Sequence, residues 1–469
     1  MGRPGACGTR HRGRTARPRR RARRGRRGGA RGRPARRPRH DLPRGLRRGR
    51  RRGVGCRSGC RRGRRARTAA PARRLVSAPV AWAEARALAR SAAPPPRAER
   101  VPLASALGRV LADPLVTAIP LPHFASAAMD GWAVRGAGPW RLGEDAAVEG
   151  GGPGHAPVLA AGEAVEIVTG APVPDGAEAV LRAEAGSVAD GVLQSVGETG
   201  RHDVEGRRHI RPAGAEAAPG DRLLEAGAVL TPPRIALAAA TGADALAVRR
   251  RVRVALVLTG DEVVEAGVPG PGQVRDSFRV AIPAVLRALG GDVVAVHRVG
   301  DDEDATRVAL SAGGIDLVLT TGGTGRSSAD HVRAALAAAG AALLVPGMAI
   351  RPGGPTLLAR MPDRLVLGLP GNPLAALLGL VALGAPLLSA WTGVDASTRT
   401  VVAANTLPGR ARSTGLVPAT LAGAEATPVA HLGSGMLRGL AAADVVLVVP
   451  PAGVAAGEPV EALALPWTG

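Results

Sequence analysis

From residue 252 to residue 389 the chain alternates between two hydrophobic periodicities, and this restricts its fold more than any other feature. Short apolar runs at 252–258, 292–296, 315–320, 342–345 and 365–369 read as strands. The stretches 279–289, 304–312, 331–339 and 374–389 carry the apolar spacing of helices. A strand–helix–strand series folds into a parallel sheet with right-handed crossovers, whose ligands sit beyond the carboxyl ends of the strands. Function is therefore sought first at 259–262, 300–302, 321–330 and 370–373.

The third of these stretches is Thr-Gly-Gly-Thr-Gly-Arg-Ser-Ser-Ala-Asp, between a strand pattern and a helix pattern. Gly322, Gly323 and Gly325 allow positive φ and close approach of a ligand, while unpaired N–H groups at a helix start favour negative charge. A phosphate-bearing ligand fits such a loop, and so does a plain structural turn. Asn372 is placed as a helix N-cap with Pro373 at the first helical position, so capping alone and ligand contact are both open for it. Glu262, Asp301 and Asp330, with Asp130, would converge on the glycine loop as oxygen ligands able to hold Mg²⁺ against a phosphate or an oxyanion.

A length of 469 residues implies about three domains. The net charge of +25 is unevenly placed: residues 1–74 contain 31 of the 63 basic residues and one acidic residue, Asp41. The remainder is mildly acidic, with 32 basic against 37 acidic residues, so charge disfavours a nucleic-acid partner for the body. Segment 1–75, rich in Arg, Gly and Pro, cannot bury enough apolar surface to offset ordering and is expected to be a disordered leader. It reads either as a basic arm holding nucleic acid through phosphates, or as an upstream stretch outside the native product. All three cysteines, Cys7, Cys56 and Cys60, lie in it, which leaves the body without a disulfide and fits a reducing cytoplasm. No run of about 18 apolar residues is free of charges and breakers, so a membrane span is not expected.

Helical patterns at 80–88, 103–111 and 230–240 flank a Val- and Gly-rich region at 140–225 that reads as a small β domain. Asp130–Gly131 reads as a turn entering a strand, and 165–172 as a strand and loop containing Thr169. His202 and His209 read as scattered surface residues. The region 401–466 returns to short strands with Gly and Pro turns, as in a small barrel or sandwich. The expected class is multidomain α/β plus β. Its parts are a helical linking domain (76–118 with 223–250), a β-rich insertion (119–222), a parallel-sheet α/β domain (251–394) and a C-terminal β domain (395–469).

Seven motifs occur in one order: SAAMDGWAVR at 126–135, TGAPVPDGA at 169–177, TGDE at 259–262, GQVRDS at 272–277, the glycine loop at 321–330, AIRPGGP at 349–355 and LPGNP at 369–373. Together they resemble the molybdopterin molybdenumtransferase family, of the MoeA and gephyrin E-domain type, across residues 76–466. The resemblance implies an elongated four-part subunit with a MogA-like α/β domain. It also implies a homodimer whose site lies between the α/β domain of one chain and the β-rich insertion of the other. The implied reaction inserts molybdate into adenylylated molybdopterin and releases AMP, with Mg²⁺ assisting. On the matching positions, Asp130, Glu262, Asp301 and Asp330 are the implied catalytic residues, the last three as metal ligands. Thr169, Gly322, Gly323, Thr324, Gly325, Arg326, Arg351, Pro370, Gly371, Asn372 and Ser434 are the implied pterin, nucleotide and molybdate contacts.

The chain departs from the family pattern in places. Gly347, Arg351 and Gly354 stand where lysines are usual, Phe278 stands where Asn is usual, and Thr324-Gly325-Arg326 replaces a Val-Ser-Val, nearer to adenylyltransferase domains of the MogA kind. A non-catalytic pterin-binding or carrier paralogue would keep the glycine loop while losing cations in this way. It is therefore the second reading beside the enzyme, and nucleic-acid binding through the leader is the third.

Overall fold

Strands buried on both faces need near-continuous apolar sequence, and three segments supply it: Val252–Thr259, Leu317–Thr321 and Leu365–Leu369. In the computed structural model these lie side by side in parallel, with Gly291–Val299 on the outer flank of Val252–Thr259. The structure describes residues 78–148, 158–300, 302–325, 331–433 and 435–468, all within the unit Arg74–Gly469. Helices Phe278–Ala288, Glu303–Leu310 and His331–Ala338 complete the crossovers.

The sheet has a second half that the sequence reading did not anticipate. Leu357–Arg360 pairs antiparallel with Leu365–Leu369, and Ala342–Val345 pairs antiparallel with Leu357–Arg360 at the far edge. Ala342–Val345 is therefore a strand as expected, but it is not a neighbour in the parallel series. The missed strand is four residues long, too short for its periodicity to register. The turn after it closes through Met361 N–H donating to the Arg364 carbonyl at 2.9 Å.

The helix expected at 374–389 starts at Pro373 and contains a π-helical segment, Leu380–Gly384, before continuing as Ala385–Thr392. This is the one helix among the described residues long and apolar enough to cross a membrane, and 83% of its apolar 18-residue window is buried inside the protein. Pro386 has no N–H to return to the Ala382 carbonyl. Arg86 of the first helix, Trp82–Ala92, donates to that carbonyl instead at 3.0 Å. Burial pushes the Arg86 pKa down to about 10, and its guanidinium lies 4.9 Å from the Trp82 ring centre.

Ala98–Pro102 pairs with Ala245–Arg249, so the chain enters and leaves the β-rich insertion through one antiparallel ribbon. The helix expected at 103–111 is only a 3₁₀ turn, Leu103–Ser105, because Gly108 takes φ +69° and Leu111 bridges to Val248. The insertion carries a six-stranded sheet with Gly131–Val134 between Ala179–Arg182 and Glu163–Ile167. It also contains a helix that went unread, Gly197–Glu205, whose two glycines are weak helix formers. At the C-terminus, Thr414–Ala422, Glu425–Pro428, Thr398–Ala403, Pro459–Ala464 and Val445–Val449 close a five-stranded barrel.

Candidate functional site

The glycine loop leaves the carboxyl end of Leu317–Thr321 and is seated by its neighbours. Gly322 has φ +84°, and a Cβ there would lie 2.4 Å from Thr259 Oγ1. That hydroxyl donates to the Thr321 carbonyl at 2.6 Å. Gly322 N–H donates to the Leu369 carbonyl at 2.9 Å, which ties the loop to the end of the next strand. Gly323, at φ +61°, packs on Val332, while the Thr324 hydroxyl donates to the Leu369 carbonyl at 3.3 Å. Arg333 braces the loop from the following helix, donating to the Thr324 and Gly325 carbonyls at 2.9 and 3.1 Å. The glycines thus serve close packing as well as backbone freedom. Arg326 and Asp330 lie outside the described residues.

Pro370, Gly371 and Asn372 lie beside this loop. A Cβ on Gly371 would be 3.5 Å from Gly322 Cα. Asn372 caps the helix, its Oδ1 accepting from Ala375 N–H at 3.0 Å. A Cβ on Gly435, from the C-terminal region, would lie 3.7 Å from the Asn372 amide nitrogen, so Gly435 reaches this end of the sheet. Ser434 itself is outside the described residues. Arg351 is exposed, in the strand Ile350–Arg351 that pairs with the barrel at Thr414–Gly415. Gly353, two residues on, packs near the Ala375 carbonyl, which brings the Arg351 loop to the same helix start.

Gly347 and Gly354, which the resemblance sets against lysines, differ in their surroundings. A Cβ on Gly347 would meet the Gly354 carbonyl at 3.1 Å, whereas one on Gly354 has only ordinary contacts, at 3.4 and 3.5 Å.

Glu262 follows the end of Val252–Thr259 and is exposed; its carbonyl accepts from Val274 N–H at 2.9 Å, while its carboxylate makes no hydrogen bond or ion pair among the described residues. Asp261 lies against Gly300, whose Cβ would be 2.6 Å from its Oδ1; Asp301 is outside the described residues. Beneath them is a carboxylate that the sequence reading left inside a motif. Asp276 is 4% exposed, and its Oδ1 accepts from Phe278 and Arg279 N–H groups at 2.9 and 3.0 Å. Its Oδ2 is buried without a hydrogen bond, 3.7 Å from Arg298 Nη1. Arg298 also donates to the Gly260 and Val263 carbonyls and so fixes the loop that carries Glu262. Among the described residues no three His, Cys, Asp or Glu side chains gather as a metal site.

Asp130 and Thr169 meet in the insertion. Asp130 Oδ1 accepts from the Thr169 N–H at 2.7 Å and from its hydroxyl at 2.8 Å, and these two bonds hold the carboxyl below its ordinary pKa. Its Oδ2 keeps no bond within the described residues. The adjoining Gly131, at φ +151°, passes so close to the Leu181 carbonyl that no side chain fits. Ala128 N–H donates to the His209 carbonyl and Ala183 N–H to the Asp130 carbonyl, at 2.7 and 2.9 Å. His209 is not a scattered surface residue: its Nε2 lies 2.9 Å from the buried Asp203, which also accepts from Arg182 at 2.9 Å. Thus two groups form within one chain, the strand-end loops and the Asp130–Thr169 pair, and no hydrogen bond or ion pair between described residues joins them.

Three adjacent parts of the sequence match family profiles: the MoeA N-terminal region (domains I and II) at residues 80–242, a probable molybdopterin binding domain at 255–390, and the MoeA C-terminal region (domain IV) at 400–465. Molybdopterin molybdenumtransferase 2 of Mycobacterium tuberculosis is 34% identical over 290 residues, 58% of this chain and 69% of that protein. The molybdopterin molybdenumtransferase of Synechococcus elongatus is 35% identical over 297 residues, 60% of this chain and 72% of that one. A solved structure of the molybdopterin biosynthesis MoeA protein from Pyrococcus horikoshii is 26% identical, superposes with a TM-score of 0.67 and covers 83% of this chain and 99% of its own. On these matches the chain belongs to the molybdopterin molybdenumtransferase family, a family of enzymes of molybdenum cofactor biosynthesis.

Proposed function

We propose that this chain inserts molybdate into adenylylated molybdopterin and releases AMP in the cytoplasm, as a homodimer. One site would combine the strand-end loops of one copy with the Asp130–Thr169 pair of the other. The observation that carries this reading is the separation of those two groups: within one chain no hydrogen bond or ion pair between described residues joins them. The functional division follows the parts expected from sequence: 76–118 with 223–250, 119–222, 251–394 and 395–469.

The glycine loop, with backbone N–H groups between Thr321 and Gly325, binds the phosphate portion of the pterin nucleotide. Pro370, Gly371 and Asn372 form the adjoining wall, and the loop of Ser434 closes it from the barrel. Arg351 would face the molybdate oxyanion, with Arg326 as a second cation, as the resemblance implies. Asp130 keeps one oxygen on Thr169 and leaves the other able to accept from a substrate group. The carboxylates of Glu262 and Asp261, which make no side-chain hydrogen bond or ion pair among the described residues, are oxygen donors of the kind a hard cation takes, whereas Asp276 is engaged by Arg298. Glu262, Asp301 and Asp330 would hold Mg²⁺, which when bound supplies charge compensation between phosphate and oxyanion.

The test is turnover by the purified chain with adenylylated molybdopterin, molybdate and Mg²⁺, scored as AMP released and cofactor formed. Molybdate-dependent AMP release, lost in Glu262→Gln and Asp330→Asn, supports the proposal. Tight pterin binding with no molybdate-dependent release would instead make the chain a carrier paralogue.

A further inference from the structure

At the opposite, amino end of the parallel strands lies a cavity of about 490 Å³ that the site above does not use. Five guanidiniums line it, those of Arg109, Arg250, Arg251, Arg253 and Arg287, together with the carboxylates of Glu99 and Asp292. Three of the five have acidic partners. Arg109 meets Glu99 at 2.5 Å, Arg250 meets Asp316 at 2.8 Å, and Arg287 meets Asp292 at 2.7 Å. Arg251 and Arg253 form no ion pair among the described residues. Each donates to a backbone carbonyl: Arg251 to Arg287 at 3.0 Å and Arg253 to Gly314 at 2.7 Å. A guanidinium has five N–H donors, so most of their capacity is unspent. Burial lowers the Arg251 pKa, and the nearby Arg109 charge lowers it further. Folding has therefore gathered five guanidiniums beside three acidic partners, which leaves Arg251 and Arg253 without an ion pair of their own among the described residues.

We infer that this cavity binds a small polyphosphate-type oxyanion, of which inorganic pyrophosphate is the simplest. Two unpaired guanidiniums call for more than one negative charge, and planar forks suit phosphoryl oxygens. The apolar part of the lining is Ala104, Leu107 and Val294, with no aromatic ring to stack a nucleobase, so the phosphate portion is what the site recognises.

The experiment is isothermal titration of the full chain with pyrophosphate at constant ionic strength. Wild type is compared with Arg251→Gln, Arg253→Gln, the double variant and Leu107→Glu. Leu107 is 58% exposed at the cavity, so its replacement adds a negative charge without removing a guanidinium and serves where an arginine variant fails to fold. The expected result is one saturable site per chain, weakened at least about tenfold in each single variant, at about 1.4 kcal/mol per tenfold, and absent in the double variant. Orthophosphate should bind the same site more weakly. Saturable binding unchanged in all four variants would place the anion elsewhere, at the glycine loop or on the Arg-rich segment, and overturn the inference. Absence of pyrophosphate binding in wild type, with the double variant altering the oligomeric state, would overturn it too, by making the cavity a contact between copies.

Discussion

Replacing Gly322 with alanine probes the glycine loop through its packing. The residue has φ +84°, a conformation that costs an L-residue about 1–2 kcal/mol. The new methyl would also stand 2.4 Å from Thr259 Oγ1. That hydroxyl can withdraw only by giving up its bond to the Thr321 carbonyl, a loss of about 0.5–1.5 kcal/mol. The sum is about 1.5–3.5 kcal/mol, enough to weaken ligand binding by roughly 10- to 300-fold if the loop shifts to relieve it. Gly340→Ala is the control: its φ of +69° carries the same backbone cost, but nothing lies within 4 Å of the added carbon. The assay is equilibrium binding of molybdopterin to both variants, with fluorescence or calorimetric readout. Binding weakened in Gly322→Ala and unchanged in Gly340→Ala supports the reasoning. Wild-type affinity in Gly322→Ala would refute it, because the loop would then not need this close approach to hold its ligand.

Two further outcomes follow from the site. Asp130 titrates below the ordinary aspartate range because the Thr169 N–H, and then its hydroxyl, stabilise the charged form, so the pair is intact above that range and is lost as pH falls through the lowered value. The Thr169 amide resonance should report this midpoint, and Thr169→Val, which removes only the hydroxyl, should move it upward. A further cation should help molybdate: Gly354→Lys meets only ordinary contacts and should lower the half-saturating molybdate concentration by about one to two orders of magnitude, one charge-assisted bond being worth about 1.5–3 kcal/mol. Gly347→Lys should gain less, since its Cβ meets a carbonyl at 3.1 Å.

The central strands and most of the strand-end loops were legible because burial on both faces forces long apolar runs and glycine marks the tight turns. The antiparallel strand Leu357–Arg360 was not, since four residues with one exposed arginine carry no periodicity. Helix Gly197–Glu205 escaped because two glycines mask its pattern, and with it went the buried Asp203 that pairs His209 and Arg182 behind the Asp130 loop. Asp276 lay in plain view within GQVRDS, but its burial and its oxygen without a hydrogen bond depend on how the loop folds over Arg298, which is long-range information. Thr259 and Arg333 support the glycine loop through contacts that only the assembled sheet creates.

The central claim is that one site is completed by two copies of the chain, and subunit complementation addresses it directly. Asp130→Asn disables the insertion half, Glu262→Gln disables the strand-end half, and each homodimer should be inactive. Mixed and reassembled at equal amounts, half of the dimers are heterodimers with one intact site of two, so activity should return to roughly a quarter of the wild-type level. Mixed protein as inactive as its parents, with subunit exchange verified by mass, would contradict the shared site.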